Sequence, residues 1–329
     1  MDPSKVDLPP MKDLTIENIT ENVHAINSRT PDPRLRYLLE RLVQHMHDFA
    51  RETRLSTQEW MAGIEFLTAV GKKCTDVRQE FILLSDTLGL SLLVDSIDHP
   101  KPPSSTEGTV LGPYHTHDAE THSLGHSISH DPNGQPLLCL CTVKDTSGRP
   151  IPDVKIDIWE TDSKGAYDVQ YEGRTEPDGR AILRSDETGN FWFKAIVPVP
   201  YSIPHDGPVG QMLRSLRRHP WRPSHMHFMF RKENFDHLIT ALYLRNDPYE
   251  TSDAVFGVKE SLIVDLGTVS PEQAAKYDVP EGSKLLTYDF VLVTEKETRE
   301  LRDAEARKAA EKLGRRMKIV EGLPVPDVD

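Results

Sequence analysis

In the stretch Pro223-Ser224-His225-Met226-His227-Phe228, two histidines stand two residues apart inside an apolar run. On a β-strand side chains alternate between faces, so both imidazoles would point the same way, close enough to share one metal ion. Imidazole suits zinc, copper, iron and nickel, so the pair does not name the metal, and two satisfied core histidines are the plain alternative. Two tyrosines upstream bear on the choice: Tyr167 in Lys-Gly-Ala-Tyr-Asp-Val-Gln and Tyr201 in Val-Pro-Val-Pro-Tyr-Ser-Ile-Pro. Taken singly, each reads as a core aromatic with its hydroxyl bonded to backbone. Taken with the histidines they read differently, because phenolate is a hard anionic donor that favours ferric iron over zinc. Free tyrosine ionises near pH ~10, so two phenolates at neutral pH need a strong local cation. Arg222, three residues before His225, either serves such a site or belongs to a surface run with Arg214, Arg217 and Arg218.

Several elements must position these residues. From Pro33 to Phe49, Leu35, Leu38, Leu39, Leu42, Val43, Met46 and Phe49 recur at the spacing of one helix face. Ser56-Thr57-Gln58-Glu59 reads as a capping box opening a second helix with Trp60, Ile64, Leu67 and Val70 on one stripe. A third helix is expected to begin near Thr75 or Asp76 and to run through Phe81 and Leu84 towards Leu93. The proline-rich stretch from His99 to Ser105 then marks a linker. Beyond it, Leu137 to Val143, Val154 to Trp159, Ala181 to Leu183, Phe191 to Val197, His225 to Phe230, Leu238 to Leu244, Leu262 to Leu266 and Leu285 to Thr294 read as strands, which predicts an antiparallel β-sandwich. The segment between Tyr201 and Arg222 reads as a functional loop with a short helix at Met212, Leu213 and Leu216. Pro200 and Pro204 would keep Tyr201 outside any sheet ladder. A charged helix follows Glu295, and the last residues are expected to fray. The predicted organisation is mostly β with an α-helical N-terminal region: helical domain and linker at 1–105, catalytic sandwich at 106–295, charged helix and tail at 296–329.

Composition narrows the function. The 329 residues carry a net charge of −13, which argues against a nucleic-acid surface, and 37% hydrophobic content is enough for a core. No apolar stretch approaches a membrane span, and Met1 to Asp7 lack the pattern of a signal peptide, so a soluble cytoplasmic protein is expected. Cys74, Cys139 and Cys141 are read as reduced.

The order Gly-x-Tyr at Tyr167, Val-Pro-x-x-Tyr at Tyr201 and Arg-Pro-x-His-x-His at 222–227 resembles the ligand set of the intradiol ring-cleaving dioxygenases. These are non-haem Fe(III) enzymes that open a catechol ring between its two hydroxylated carbons. Similarity extends from Gln58-Glu59-Trp60 through Leu111-Gly112-Pro113-Tyr114, Pro150-Ile151-Pro152 and Asp186-Glu187-Thr188-Gly189 to the strand after His237. The resemblance implies one Fe(III) per subunit, with Tyr167 and His225 equatorial beside a hydroxide and Tyr201 and His227 axial. It implies that Tyr201 leaves the metal when a catecholate arrives, and that Arg222 stabilises anionic character on the ring carbon that O2 attacks. It also implies a homodimer joined through the N-terminal helices, often around a lipid-like molecule.

One departure concerns the surroundings of the metal: many relatives carry Gln on the strand after the second histidine, where this chain has Ala241. Within the family, Phe81 to Gly89 resembles the hydroxyquinol 1,2-dioxygenase branch, in which residues at the places of Leu83 and Asp86 face the ring. Val110, Leu111, Gly112, Pro113 and Tyr114, with Ile203, Pro204 and Val255, match the rest of that pocket, although Tyr114 stands where the branch usually has Phe. The implied reaction takes hydroxyquinol and O2 to 3-hydroxy-cis,cis-muconate, which tautomerises to maleylacetate. Catechol 1,2-dioxygenase is the alternative within the family, and a non-catalytic or Zn/Cu-binding sandwich the alternative outside it.

Overall fold

The computed structural model describes residue 11 and residues 13–75, 78–174, 176–314 and 316–327. Asp76, one of two expected starts of the third helix, and the Met1 to Asp7 segment lie outside the described residues. The chain divides into two compact units, Met1–Leu67 with Arg302–Asp329, and Thr68–Leu301.

The first unit is built on α1 (Ile19–Asn27) and α2 (Pro33–Thr53), followed by the start of α3 (Thr57–Lys73). Asp32 caps α2 by accepting from the N–H groups of Arg34 and Leu35, and Pro33 occupies the first turn, where its missing donor costs nothing. The expected capping box forms, with Glu59 accepting from Ser56 N at 2.9 Å and Ser56 Oγ from Glu59 N at 3.2 Å. Arg51 joins α1 to α2 by donating to the buried Thr20 hydroxyl. Leu35, Leu38, Leu42, Met46 and Phe49 of the predicted α2 stripe are exposed, whereas Val43 is buried. The expected fraying does not extend to residues 317–326: Met317–Val320 pairs antiparallel with Leu323–Pro326, and Arg34 Nη1 donates to Pro324 O at 2.7 Å, while Val328 and Asp329 lie outside the described residues.

The second unit opens with α4 (Glu80–Thr87) and α5 (Leu90–Asp98). These replace the single third helix of the sequence reading, because Gly89 adopts a left-handed φ of 74° between them and turns the chain. Then come β1 (Pro136–Asp145), β2 (Lys155–Trp159), β3 (Arg180–Arg184), β4 (Asn190–Ile196), β5 (Tyr201–Ser202), α6 (Pro208–Ser215), β6 (Trp221–Arg222), β7 (His225–Arg231), β8 (Leu238–Leu244), β9 (Ile263–Val264), β10 (Gly267–Thr268), α7 (Pro271–Tyr277), β11 (Lys284–Leu292) and α8 (Glu295–Lys312), which carries the chain back to the first unit.

A five-stranded sheet in the order β3-β2-β7-β8-β9 faces a four-stranded sheet in the order β10-β11-β1-β4. Both are mainly antiparallel, with parallel pairing at β1/β11 and β8/β9. Their inner faces share one core: Ile156, Ile158, Met226, Phe228 and Phe230 from one sheet, Cys139, Cys141, Phe191, Phe193 and Phe290 from the other. Phe290 lies 4.9 Å from Phe228 and 4.5 Å from Phe230, ring to ring, across the two layers. All three cysteines are free, and no helix among the described residues is long and apolar enough to cross a membrane. Phe290→Ala should open a cavity between the sheets and cost about 3–5 kcal/mol; urea unfolding should show a lower midpoint with an unchanged slope.

Candidate active site

The period-two reading of β7 holds. Met226, Phe228 and Phe230 enter the core, so His225 and His227 share the opposite face, and both are nonetheless almost fully buried. His225 pairs across the strands with Tyr243, while His227 lies between Ala241 on β8 and Trp159 on β2. The Trp159 indole stacks flat on the His227 ring at 4.8 Å, which fixes its plane. His225 Nδ1 lies 2.7 Å from Pro223 O. A carbonyl only accepts, so Nδ1 carries the proton and the Nε2 lone pair is turned inward. Burial, reinforced by Arg222, lowers the His225 pKa to about 3, which keeps this ring neutral through the physiological range.

Both tyrosines join this face. Tyr167 precedes a short 3-10 turn whose Gln170 side chain accepts its backbone N–H at 2.8 Å. Tyr201 does not sit on a free loop as expected: β5 pairs antiparallel with β6, and Tyr201 lies directly opposite Arg222. The Tyr167 and Tyr201 rings meet edge to face at 5.4 Å, and Tyr201 stands 5.4 Å from His225, ring to ring. Tyr114 stacks on Tyr167 at 4.7 Å, with its hydroxyl accepting from Gln170 Nε2 at 3.2 Å.

The donor set fits a shared cation. His225 Nε2 and His227 Nε2 stand 3.1 Å apart. Two nitrogens bound side by side to one metal at about 2.1 Å each would be spaced similarly. Tyr167 Oη and His227 Nδ1 are buried with no hydrogen-bond partner. Burial pushes the Tyr167 phenol well above its ordinary pKa, so its ionised form requires a neighbouring cation. Among the described residues, no group of three or more His, Cys, Asp or Glu gathers in metal-binding geometry, which leaves the mixed tyrosine and histidine cluster as the candidate centre.

Arg222 reaches the same cluster, with Nη1 3.3 Å from Tyr201 Oη and 3.1 Å from His225 Nε2. The surface-arginine alternative is excluded by its exposure of 1%. Asp86 is buried on α4 and interacts electrostatically with Arg222; burial is the main force raising its pKa.

Gly112 brings its loop within 3.5 Å of His227 Nε2, measured from where a Cβ would lie, and its φ of 74° is left-handed. Val110 lies two residues before Gly112, Ile203 and Pro204 follow Tyr201 in the chain, and Val255 donates its N–H to Asp253 Oδ1 at 3.2 Å. Leu83, Val110, Ile203 and Val255 are buried, and Pro113 and Pro204 half-buried. Leu111 stands apart, partly exposed.

Residues 110–294 match the family described as Dioxygenase, and residues 32–106 match the Catechol dioxygenase N terminus. The chain belongs to the intradiol ring-cleavage dioxygenases. It is 73% identical, over 329 residues spanning the whole of both chains, to an intradiol ring-cleavage dioxygenase of Aspergillus niger. It is 43% identical to the 6-chlorohydroxyquinol 1,2-dioxygenase of Cupriavidus pinatubonensis, over 86% of this chain and 99% of the relative. The hydroxyquinol 1,2-dioxygenase structure from Pseudomonas putida DLL-E4 superposes with a TM-score of 0.80 at 42% identity, covering 85% of this chain and 99% of that one. This intradiol dioxygenase is therefore an oxidoreductase of a family that uses iron.

Three residues around the dioxygenase cluster escaped the sequence reading. Asp253 pairs with Arg222, Tyr243 Oη accepts from Arg222 Nη2, and Trp159 braces His227. Burial is the strongest single influence and acts to raise the Asp253 carboxyl, but the Arg222 charge and hydrogen bonds, with the Val255 N–H, together leave the pKa below its ordinary value. Only the closeness of Asp253 to Val255, already a pocket candidate, pointed towards it.

Gly112→Ala should force a left-handed alanine beside His227 and cost about 1–2 kcal/mol. Thermal unfolding of the metal-free protein should register the loss, and iron titration should show weaker uptake than in the parent.

Proposed function

We propose that this enzyme is an Fe(III) intradiol dioxygenase that cleaves hydroxyquinol with O2 to 3-hydroxy-cis,cis-muconate, which tautomerises to maleylacetate. The convergence of Tyr167, Tyr201, His225 and His227, with Tyr167 Oη buried and unpartnered and the two histidine Nε2 atoms 3.1 Å apart, carries the reading. One Fe(III) per subunit would be held by these four side chains and would supply Lewis acidity and a template for substrate. Tyr201 takes a proton from the arriving catechol through its phenolate oxygen, which is hydrogen-bonded to Arg222 when the metal is absent. The Arg222 guanidinium is the fixed positive charge against which anionic character on the ring develops, a task for which its rigid fork suits it better than lysine.

The substrate reading rests on Asp86. A buried carboxylate under the influence of Arg222 accepts a hydrogen bond from the additional hydroxyl of hydroxyquinol, whereas plain catechol leaves that acceptor position unused. Leu83, Val110, Leu111, Gly112, Pro113, Tyr114, Ile203, Pro204 and Val255 complete the proposed pocket. The hydroxyquinol names of relatives at about 43% identity support the same substrate. We further assign 1–105 to dimerisation, 106–295 to catalysis and 296–329 to a charged helix and tail, in a cytoplasmic homodimer with a lipid between its N-terminal helices. The exposed apolar side chains of α2 support the homodimer.

Oxygen uptake by the iron-loaded protein tests the activity: hydroxyquinol should be consumed with one O2 per ring, and no uptake with any catechol or triol would overturn it. Tyr167→Ala should yield a folded protein that has lost iron and its visible tyrosinate absorption; full iron with unchanged colour would remove Tyr167 from the ligand set. Asp86→Ala should cost hydroxyquinol about 1–3 kcal/mol of transition-state binding and leave catechol unchanged or improved. An equal fall in kcat/KM for both substrates would make Asp86 a general pocket residue.

A further inference from the structure

Each nitrogen of the Arg222 guanidinium has a fixed partner in the interior. Nε donates to Asp253 Oδ1 at 3.1 Å and Nη2 to Asp253 Oδ2 at 3.3 Å, a two-pronged pairing that fixes the plane of the fork. Nη2 also donates to Tyr243 Oη at 3.1 Å. Nη1 is left for Tyr201 Oη and His225 Nε2. The clamp is itself anchored. Asp253 accepts the N–H groups of Val255 and Gly257, and its loop is tied to the Arg222 strand by Ala254 N–H to Trp221 O at 3.1 Å. Tyr243 rises from β8 opposite His225, while Ala241, opposite His227 on the same face, ends at its methyl group and offers the guanidinium no acceptor.

We propose that Asp253 and Tyr243 are positioning residues, which hold the Arg222 fork in the rotation that turns Nη1 towards Tyr201. An arginine tied at one nitrogen keeps several orientations; turning this one about its Cδ–Nε bond would break contacts to Asp253 and Tyr243 together, in a buried position. The fixed charge beside Tyr201 is thereby present before substrate arrives, which is the condition for electrostatic preorganisation. Its catalytic consequence rests on the dioxygenase reading; the geometric part does not.

The test uses Tyr243→Phe and Asp253→Asn, each alone and combined with Arg222→Gln, in the full-length protein. With iron bound and hydroxyquinol as substrate, kcat per iron should fall about 10- to 100-fold for Asp253→Asn, and less for Tyr243→Phe, with KM changing much less than kcat. The visible band should shift as Tyr201 loses its Arg222 contact. In the Arg222→Gln background neither second change should lower kcat further. In the metal-free protein, nitrogen-edited NMR should show the Arg222 Nε–H exchanging slowly with solvent in the parent and faster in both single variants. Unchanged kcat, band and exchange in Tyr243→Phe and Asp253→Asn, or losses that multiply fully with Arg222→Gln, would make these residues merely structural. Should Asp253→Asn not fold, Tyr243→Phe, which leaves the ion pair intact, decides by the same readouts. A parent protein that takes up no O2 while its Nε–H exchange behaves as expected would overturn the dioxygenase reading and leave the positioning intact.

Discussion

Tyr167 Oη and His227 Nδ1 are sealed from water without a hydrogen-bond partner, in an interior where each such atom costs about 1–3 kcal/mol. Around them stand a neutral His225 and a Tyr167 whose phenol burial keeps protonated, while the Arg222 charge is already matched by Asp253. A highly charged cation would relieve Tyr167 Oη by making it a phenolate and would occupy the inward Nε2 lone pairs of the two histidines. The surrounding architecture serves that constraint: the sandwich core frees one face of β7 for imidazoles, Trp159 holds one ring, and the Pro223 carbonyl orients the other.

Much of this was legible in the chain. Alternation along β7 was enough to place His225 and His227 on one face, since a strand buried on its core side leaves no other arrangement. The strand from Leu238 to Leu244 has the predicted ends, because an apolar run interrupted only by Thr240 lies between His237 and Arg245. Other features lacked a local signal. The break at Gly89 lies within an apolar run that a helix would tolerate on either side, and only its backbone conformation reveals the turn. The ladder of Tyr201 with Arg222 is two residues long, too short for periodicity, and prolines flank it. Asp253 meets Arg222 across 31 positions, a contact that exists only once β6 and the loop beyond β8 have closed. The C-terminal pairing includes Pro324 and Pro326, residues usually read as strand breakers, which a two-stranded edge accommodates.

The proposed recognition of substrate draws on parts with unlike histories in the sequence. Asp86 comes from a helix whose own stripe gives no reason for a buried acid, and Arg222, which acts on it electrostatically, belongs to the tyrosine and histidine cluster. Burial works against its carboxylate form while a Ser91 hydrogen bond and the Arg222 charge favour it, so the residue proposed to distinguish substrates and the residue proposed to serve the chemistry are electrostatically linked.

The pairing of β5 with β6 also sets a limit on motion. With the Tyr201 backbone held in register opposite Arg222, and Ile203 N–H bonded to Pro220 O just beyond, the phenol can leave its place only by turning about its own two side-chain torsions. Rotamer changes of that kind take picoseconds to nanoseconds only on an exposed surface. Tyr201 is buried with Tyr114, Tyr167 and His225 packed around its ring, so the proposed exchange of protein oxygen for substrate oxygen would be paced by local repacking of those neighbours rather than by displacement of a loop.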